Sequence, residues 1–128
     1  MSEWEKDDIE YVDVFVYGTL MKDLGNSFFL QNEVFLGYGE TKPEYTLYDL
    51  GHFPAMVEEG ETSVKGEIYE VDPRTVEWLD KLEGVADGLY ERKEIILADG
   101  EPALAYILPR ANLRASDLPI KSGDWRKK

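Results

Sequence analysis

One carboxylate lies out of phase with the helix that carries it. Residues 73–82 predict a helix, because Asp72 is a good N-cap, Pro73 suits the first helical position and Gly84 suits the C-terminal cap. At about 100° per residue, Val76, Leu79 and Leu82 share an apolar arc with Trp78 at its edge, while Glu77, Asp80 and Lys81 point away. Glu83 follows Leu79 by four positions and Val76 by seven, so it projects from the apolar side. An inward carboxylate at a helix C-terminus is disfavoured as an anion by desolvation and by the negative end of the helix dipole. Both effects raise its pKa toward the range in which a group accepts and returns a proton near neutrality. The same spacing leaves a second outcome open, in which Glu83 lies past the last turn and swings into water.

The second feature is the turn Tyr17-Gly18-Thr19-Leu20, which follows a β-branched and aromatic run. Glycine admits dihedrals that aim successive N–H groups inward, forming a nest for an anionic oxygen. A glycine that merely ends a strand fits the same pattern. The formal net charge of −13 gives the nest added interest, since a small anion can bind such a chain only where local donors override the field.

Other catalytic chemistries lack parts. The chain has one histidine, His52, and no cysteine, which removes thiolate nucleophiles, disulfides and Cys-ligated metals. His52 lies between Gly51 and Phe53 and reads as a loop residue. No serine sits in a nucleophile elbow, and there is no phosphate loop or dinucleotide fingerprint. Neither a metal nor a cofactor is expected, and a reaction run by one carboxylate remains.

These residues must be positioned by a largely β framework. Residues 12–17, 34–39, 45–50, 55–58, 65–71, 91–97 and 103–108 read as strands, each bounded by Gly, Pro or charged residues. Asp99-Gly100 marks a hairpin turn between the last two. One or two helical turns fit residues 26–32, and the chain after Pro109 looks irregular. With one principal helix the pattern is α+β, its strands able to wrap into a closed or half-closed barrel.

A length of 128 residues predicts one domain, placed at 11–126, with residues 1–10 as an acidic N-terminal arm. The N-terminus lacks the basic and apolar regions of a secretory signal, so the cytosol is the expected location. No apolar run approaches the roughly 20 residues of a membrane span. Excess acid argues against nucleic acid and anionic membrane as partners. Arg126-Lys127-Lys128 reads as a solvated tail, and Arg92 as the partner of a surface acid rather than a substrate contact.

Several motifs in order resemble the gamma-glutamylcyclotransferase-like (AIG2-like) superfamily. They are Val14-Phe15-Val16-Tyr17-Gly18-Thr19-Leu20, Val64-Lys65-Gly66-Glu67-Ile68-Tyr69, Leu79-Asp80-Lys81-Leu82-Glu83-Gly84, Tyr90-Glu91-Arg92 and Ser122-Gly123-Asp124-Trp125. The resemblance implies a compact mixed β-barrel with short flanking helices and a polar cavity at one mouth. It implies that Tyr17, Gly18, Thr19 and Leu20 hold a glutamyl α-carboxylate, that Glu83 is the acid/base, and that Tyr90 and Tyr106 line the cavity. Thr19 resembles the branch acting on gamma-glutamylamines, which makes a gamma-glutamyl amine the implied substrate and 5-oxoproline the implied product, with no cofactor.

Overall fold

A computed structural model describes residues 10–128; the rest of the acidic arm lies outside the described residues. Eight strands form one mixed sheet. They are β1 (Val12–Val16), β2 (Val34–Glu40), β3 (Tyr45–Asp49), β4 (Pro54–Glu58), β5 (Lys65–Val71), β6 (Glu91–Ile96), β7 (Pro102–Ile107) and β8 (Leu118–Pro119). The sheet path runs β2-β5-β1-β7-β4-β3-β8, with β6 beside β7. β1 and β4 run parallel to β7, and the other pairings are antiparallel.

β7 organises the site. Its one edge pairs with β6 along its length, from Ile96↔Pro102 to Glu91↔Ile107. Its other edge is shared, with Leu104 opposite Val14 of β1 and Ile107 opposite Met56 of β4. Two strands cannot both follow one edge, so β1 and β4 diverge and the chain leaving β1 emerges between them. On the far side, β2 nearly meets β6 through the single bridge Thr41↔Leu97 and the 2.9 Å bond from Ala98 N–H to the Glu40 carbonyl. The expected α+β architecture is present; the sheet does not close, so barrel describes it only loosely.

Alternation along the strands builds two cores. Val14 and Val16 of β1, Ala55 and Val57 of β4 and Tyr106 of β7 face the helix, whereas Phe15, Tyr17, Met56, Ala105 and Ile107 face the opposite core. The helix α1 (Pro73–Leu82) begins as its sequence predicts, with the Asp72 side chain accepting from Thr75 N–H at 2.9 Å. It ends at Gly84, whose φ of 65° is the left-handed conformation that glycine adopts without strain. Val76 and Leu79 are buried against the sheet. Replacing Leu79 by Ala removes a core contact worth roughly 2–5 kcal/mol. Leu82, assigned to the buried arc from spacing, is instead partly exposed, because it borders a cavity at this end of the helix.

Two differences lie downstream. Leu118–Pro119 pairs with β3, within the stretch expected to be irregular. The C-terminal segment is docked although Arg126, Lys127 and Lys128 stay exposed: Lys65 N–H donates to the Gly123 carbonyl at 2.8 Å, Trp125 packs against both cores, and Lys128 stands 3.5 Å from Asp49. Among the described residues, no helix is long and apolar enough to cross a membrane.

Candidate active site

The turn after β1 carries the first half of the site. Gly18 lacks the left-handed φ expected of a nest. Its requirement is steric, since an added Cβ would stand 2.9 Å from Cγ and Cδ of Pro54, where β4 begins. The chain then reverses, with Met21 N–H donating to the Gly18 carbonyl at 3.0 Å. Asn26 clasps the turn twice, through its N–H to the Thr19 carbonyl at 2.8 Å and its side-chain amide to Thr19 Oγ1 at 2.9 Å. Among the described residues, the N–H groups of Thr19 and Leu20 meet no acceptor. Both residues line the cavity, so they are donors available to an anion.

A buried carboxylate paired with a partly exposed arginine braces this turn from behind. Glu67, 1% exposed on β5, accepts from Lys22 N–H at 2.9 Å and from the Tyr69 hydroxyl at 3.0 Å. Arg126 lies 3.4 Å from the other Glu67 oxygen and also donates to the Lys22 carbonyl at 2.5 Å. One carboxylate and one guanidinium thereby hold both backbone polar groups of Lys22.

Glu83 supplies the second half. It caps α1, its N–H donating to the Leu79 carbonyl at 2.9 Å, and its half-buried side chain lines the same cavity as Thr19 and Leu20. Of the two outcomes open from spacing, the inward one is found. No hydrogen bond or ion pair engages its carboxylate among the described residues. Burial pushes its pKa from 4.5 up to about 7. The cavity holds about 190 Å³, below the roughly 300–1,000 Å³ of drug-sized sites and suited to a small metabolite.

Tyr17, Tyr90 and Tyr106 line the cavity with Glu83, but each hydroxyl is already committed. The Tyr17 hydroxyl bridges β4 and β7, accepting from Met56 N–H at 3.1 Å and donating to the Tyr106 carbonyl at 2.6 Å. Tyr90 donates to the Pro54 carbonyl at 3.0 Å and Tyr106 to Asp80 Oδ1 at 2.8 Å. They therefore act on Glu83 chiefly as aromatic walls that exclude water. Burial raises all three phenol pKa values, and the Glu83 charge raises them further.

Sequence spacing pointed Asp80 away from the core, yet its carboxylate takes the Tyr106 hydroxyl on one oxygen and an ion pair with Arg92 on the other. The reason is that β6 and β7 flank the helix on that side. Arg92 thus pairs with an acid, as expected, and His52 is exposed in the loop before β4, outside the cavity lining. Among the described residues, no cluster of three or more His, Asp or Glu side chains could hold a metal. Sequence reasoning missed Asn26, Glu67, Asp80 and Arg126. Only Glu67 left a signal, an acid in phase with Tyr69 on a strand.

The chain matches the family described as Gamma-glutamyl cyclotransferase, AIG2-like, over residues 14–127. A Vibrio cholerae protein, itself only provisionally named a gamma-glutamylcyclotransferase, is 46% identical over 112 residues, covering 88% of this chain and 93% of that protein. The solution structure of YtfP from Escherichia coli is 37% identical, with a TM-score of 0.69 over 91% of this chain and 99% of its own. The crystal structure of a uropathogenic E. coli-specific protein superposes with a TM-score of 0.81 at 26% identity, over 92% and 94% of the two chains. The chain belongs to the gamma-glutamylcyclotransferase, AIG2-like family.

Proposed function

We propose that this protein converts a gamma-glutamyl amine to 5-oxoproline and a free amine. The reading rests chiefly on one observation: a carboxylate ionising at about 7 and two free backbone donors line a single small cavity. The Thr19 and Leu20 N–H groups hold the substrate α-carboxylate, which sets the neighbouring α-amine toward Glu83. The amine nitrogen attacks the γ-carbonyl carbon, a carbon–nitrogen bond closes the five-membered lactam, and the bond to the amide nitrogen breaks. Glu83 takes the proton from the attacking nitrogen and delivers it to the departing one. No water is consumed and no enzyme nucleophile is needed, because holding the two reacting groups together supplies much of the acceleration.

Glu83→Gln tests this. The variant should keep the wild-type circular dichroism spectrum and lose at least about 10²-fold in kcat, the lower range for a positioned acid/base. Chromatographic detection of 5-oxoproline from a panel of gamma-glutamyl amines reads the outcome. Near-normal turnover removes Glu83 from the reaction, and glutamate as the product would mean hydrolysis in place of cyclisation.

A further inference from the structure

The rim of the cavity is built differently from its floor. Tyr17, Tyr90 and Tyr106 are buried, whereas Phe53, Leu82 and Leu89 are 43%, 38% and 45% exposed. These three apolar side chains come from three separate places: the loop before β4, the last residue of α1 and the segment after the 3-10 turn Val85–Asp87. Leu89 is fixed there, its N–H donating to the Gly84 carbonyl at 3.1 Å. Leu82 and Leu89 flank Glu83 in the chain and line the cavity beside it. Large apolar groups held open around one cavity are the mark of a surface that is covered by a ligand.

Charge is distributed to match. Glu83 is the one charged side chain among the described residues that line the cavity. Two cations near Glu83 in the chain are engaged elsewhere, Arg92 with Asp80 and Lys81 over the Trp78 ring at 5.1 Å. With the α-carboxylate on the Thr19–Leu20 donors and the α-amine at Glu83, the substituent on the amide nitrogen leaves the floor and must lie along the rim.

Resting on the lactam-forming reaction above, we infer that Phe53, Leu82 and Leu89 form a leaving-amine subsite for an amine whose alkyl or arylalkyl substituent is apolar and carries no charge of its own. A carboxylate on the leaving group would sit beside Glu83 with no donor to replace its water, within a chain of net charge −13. A second ammonium would find Glu83 as its one acidic partner in the lining, and a Glu83 so occupied cannot shuttle a proton.

The test compares gamma-glutamyl amides of benzylamine, 1,4-diaminobutane and alanine by rate of 5-oxoproline release. The benzylamide should show a kcat/KM at least about tenfold above each of the others, the scale on which an apolar pocket discriminates. Leu89→Arg, at an exposed position, should lower that value and raise the one for the alanine substrate. An equal or higher kcat/KM for the alanine or diaminobutane substrate overturns the inference. If no amide yields 5-oxoproline, the reaction itself is refuted, and calorimetric binding of the same amides decides the subsite. Tighter binding of the benzylamide then supports it, and equal or weaker binding overturns it.

Discussion

Glu83 and Glu67 are both withdrawn from water, and their surroundings assign them opposite work. Glu67 is met by a backbone N–H, a hydroxyl and a guanidinium, so its charge is held in place and organises the chain around it. Glu83 has lost hydration among aromatic rings without gaining a donor, which leaves its proton exchangeable near neutrality. If the basic form is the competent one, kcat/KM should rise with pH and level off above about 7, as a pH–rate profile would show. Stability should respond with a defined sign. A carboxyl whose pKa is raised by folding favours the folded state below about 4.5, and that contribution is lost as pH rises through about 7. Glu83→Gln should therefore be more stable than the wild type at pH 8, by roughly 3 kcal/mol at most, with the gain fading toward pH 5. Urea unfolding at the two pH values checks this; equal differences at both would refute it.

The elements that carry the site are held by segments remote in the chain. The turn after β1 is positioned by Asn26 in front and, through Lys22, by Glu67 on β5 and Arg126 at the C-terminus. The docked C-terminal segment is thus the brace of the proposed carboxylate-binding turn. Arg126→Ala should raise KM for a gamma-glutamyl amide by about five- to tenfold, the scale of one lost charge-assisted hydrogen bond. The value of kcat should change less, because Glu83 sits on a different element, and Arg126→Lys should restore part of the loss. Steady-state kinetics of the pair checks this; an unchanged KM in Arg126→Ala would show that the turn holds itself. Strand and helix positions were legible because alternation and capping are local properties. This brace was not, since nothing near Lys22 in the sequence names its partners.

At the scale of the whole molecule, β1 and β4 share one edge of β7, the cavity is lined from the ends of both strands, and the chain around it carries a net charge of −13. A field of −13 opposes a substrate carrying net negative charge and leaves a zwitterionic amide nearly unaffected. Raising salt from about 20 to 200 mM shortens the screening length to below roughly 10 Å. It should therefore increase kcat/KM for gamma-glutamyl-alanine more than for the benzylamide. Parallel responses of the two substrates would show that the global field does not reach the site.

The sequence by itself determined local features: the stretches that form strands, where α1 begins and ends, and that Glu83 leaves its helix on the apolar side. Phase fixes the direction in which a side chain leaves its own element, because that follows from local backbone geometry. It carries no information about what stands opposite. Only the tertiary structure decided that the Tyr17 hydroxyl bridges Met56 and Tyr106, that Gly18 is small because of Pro54, and that Asp80 faces Tyr106 and Arg92. It also decided that Leu82 opens onto a cavity at the end of α1. Those outcomes depend on contacts between segments tens of residues apart, which come together through the order of strands in the sheet.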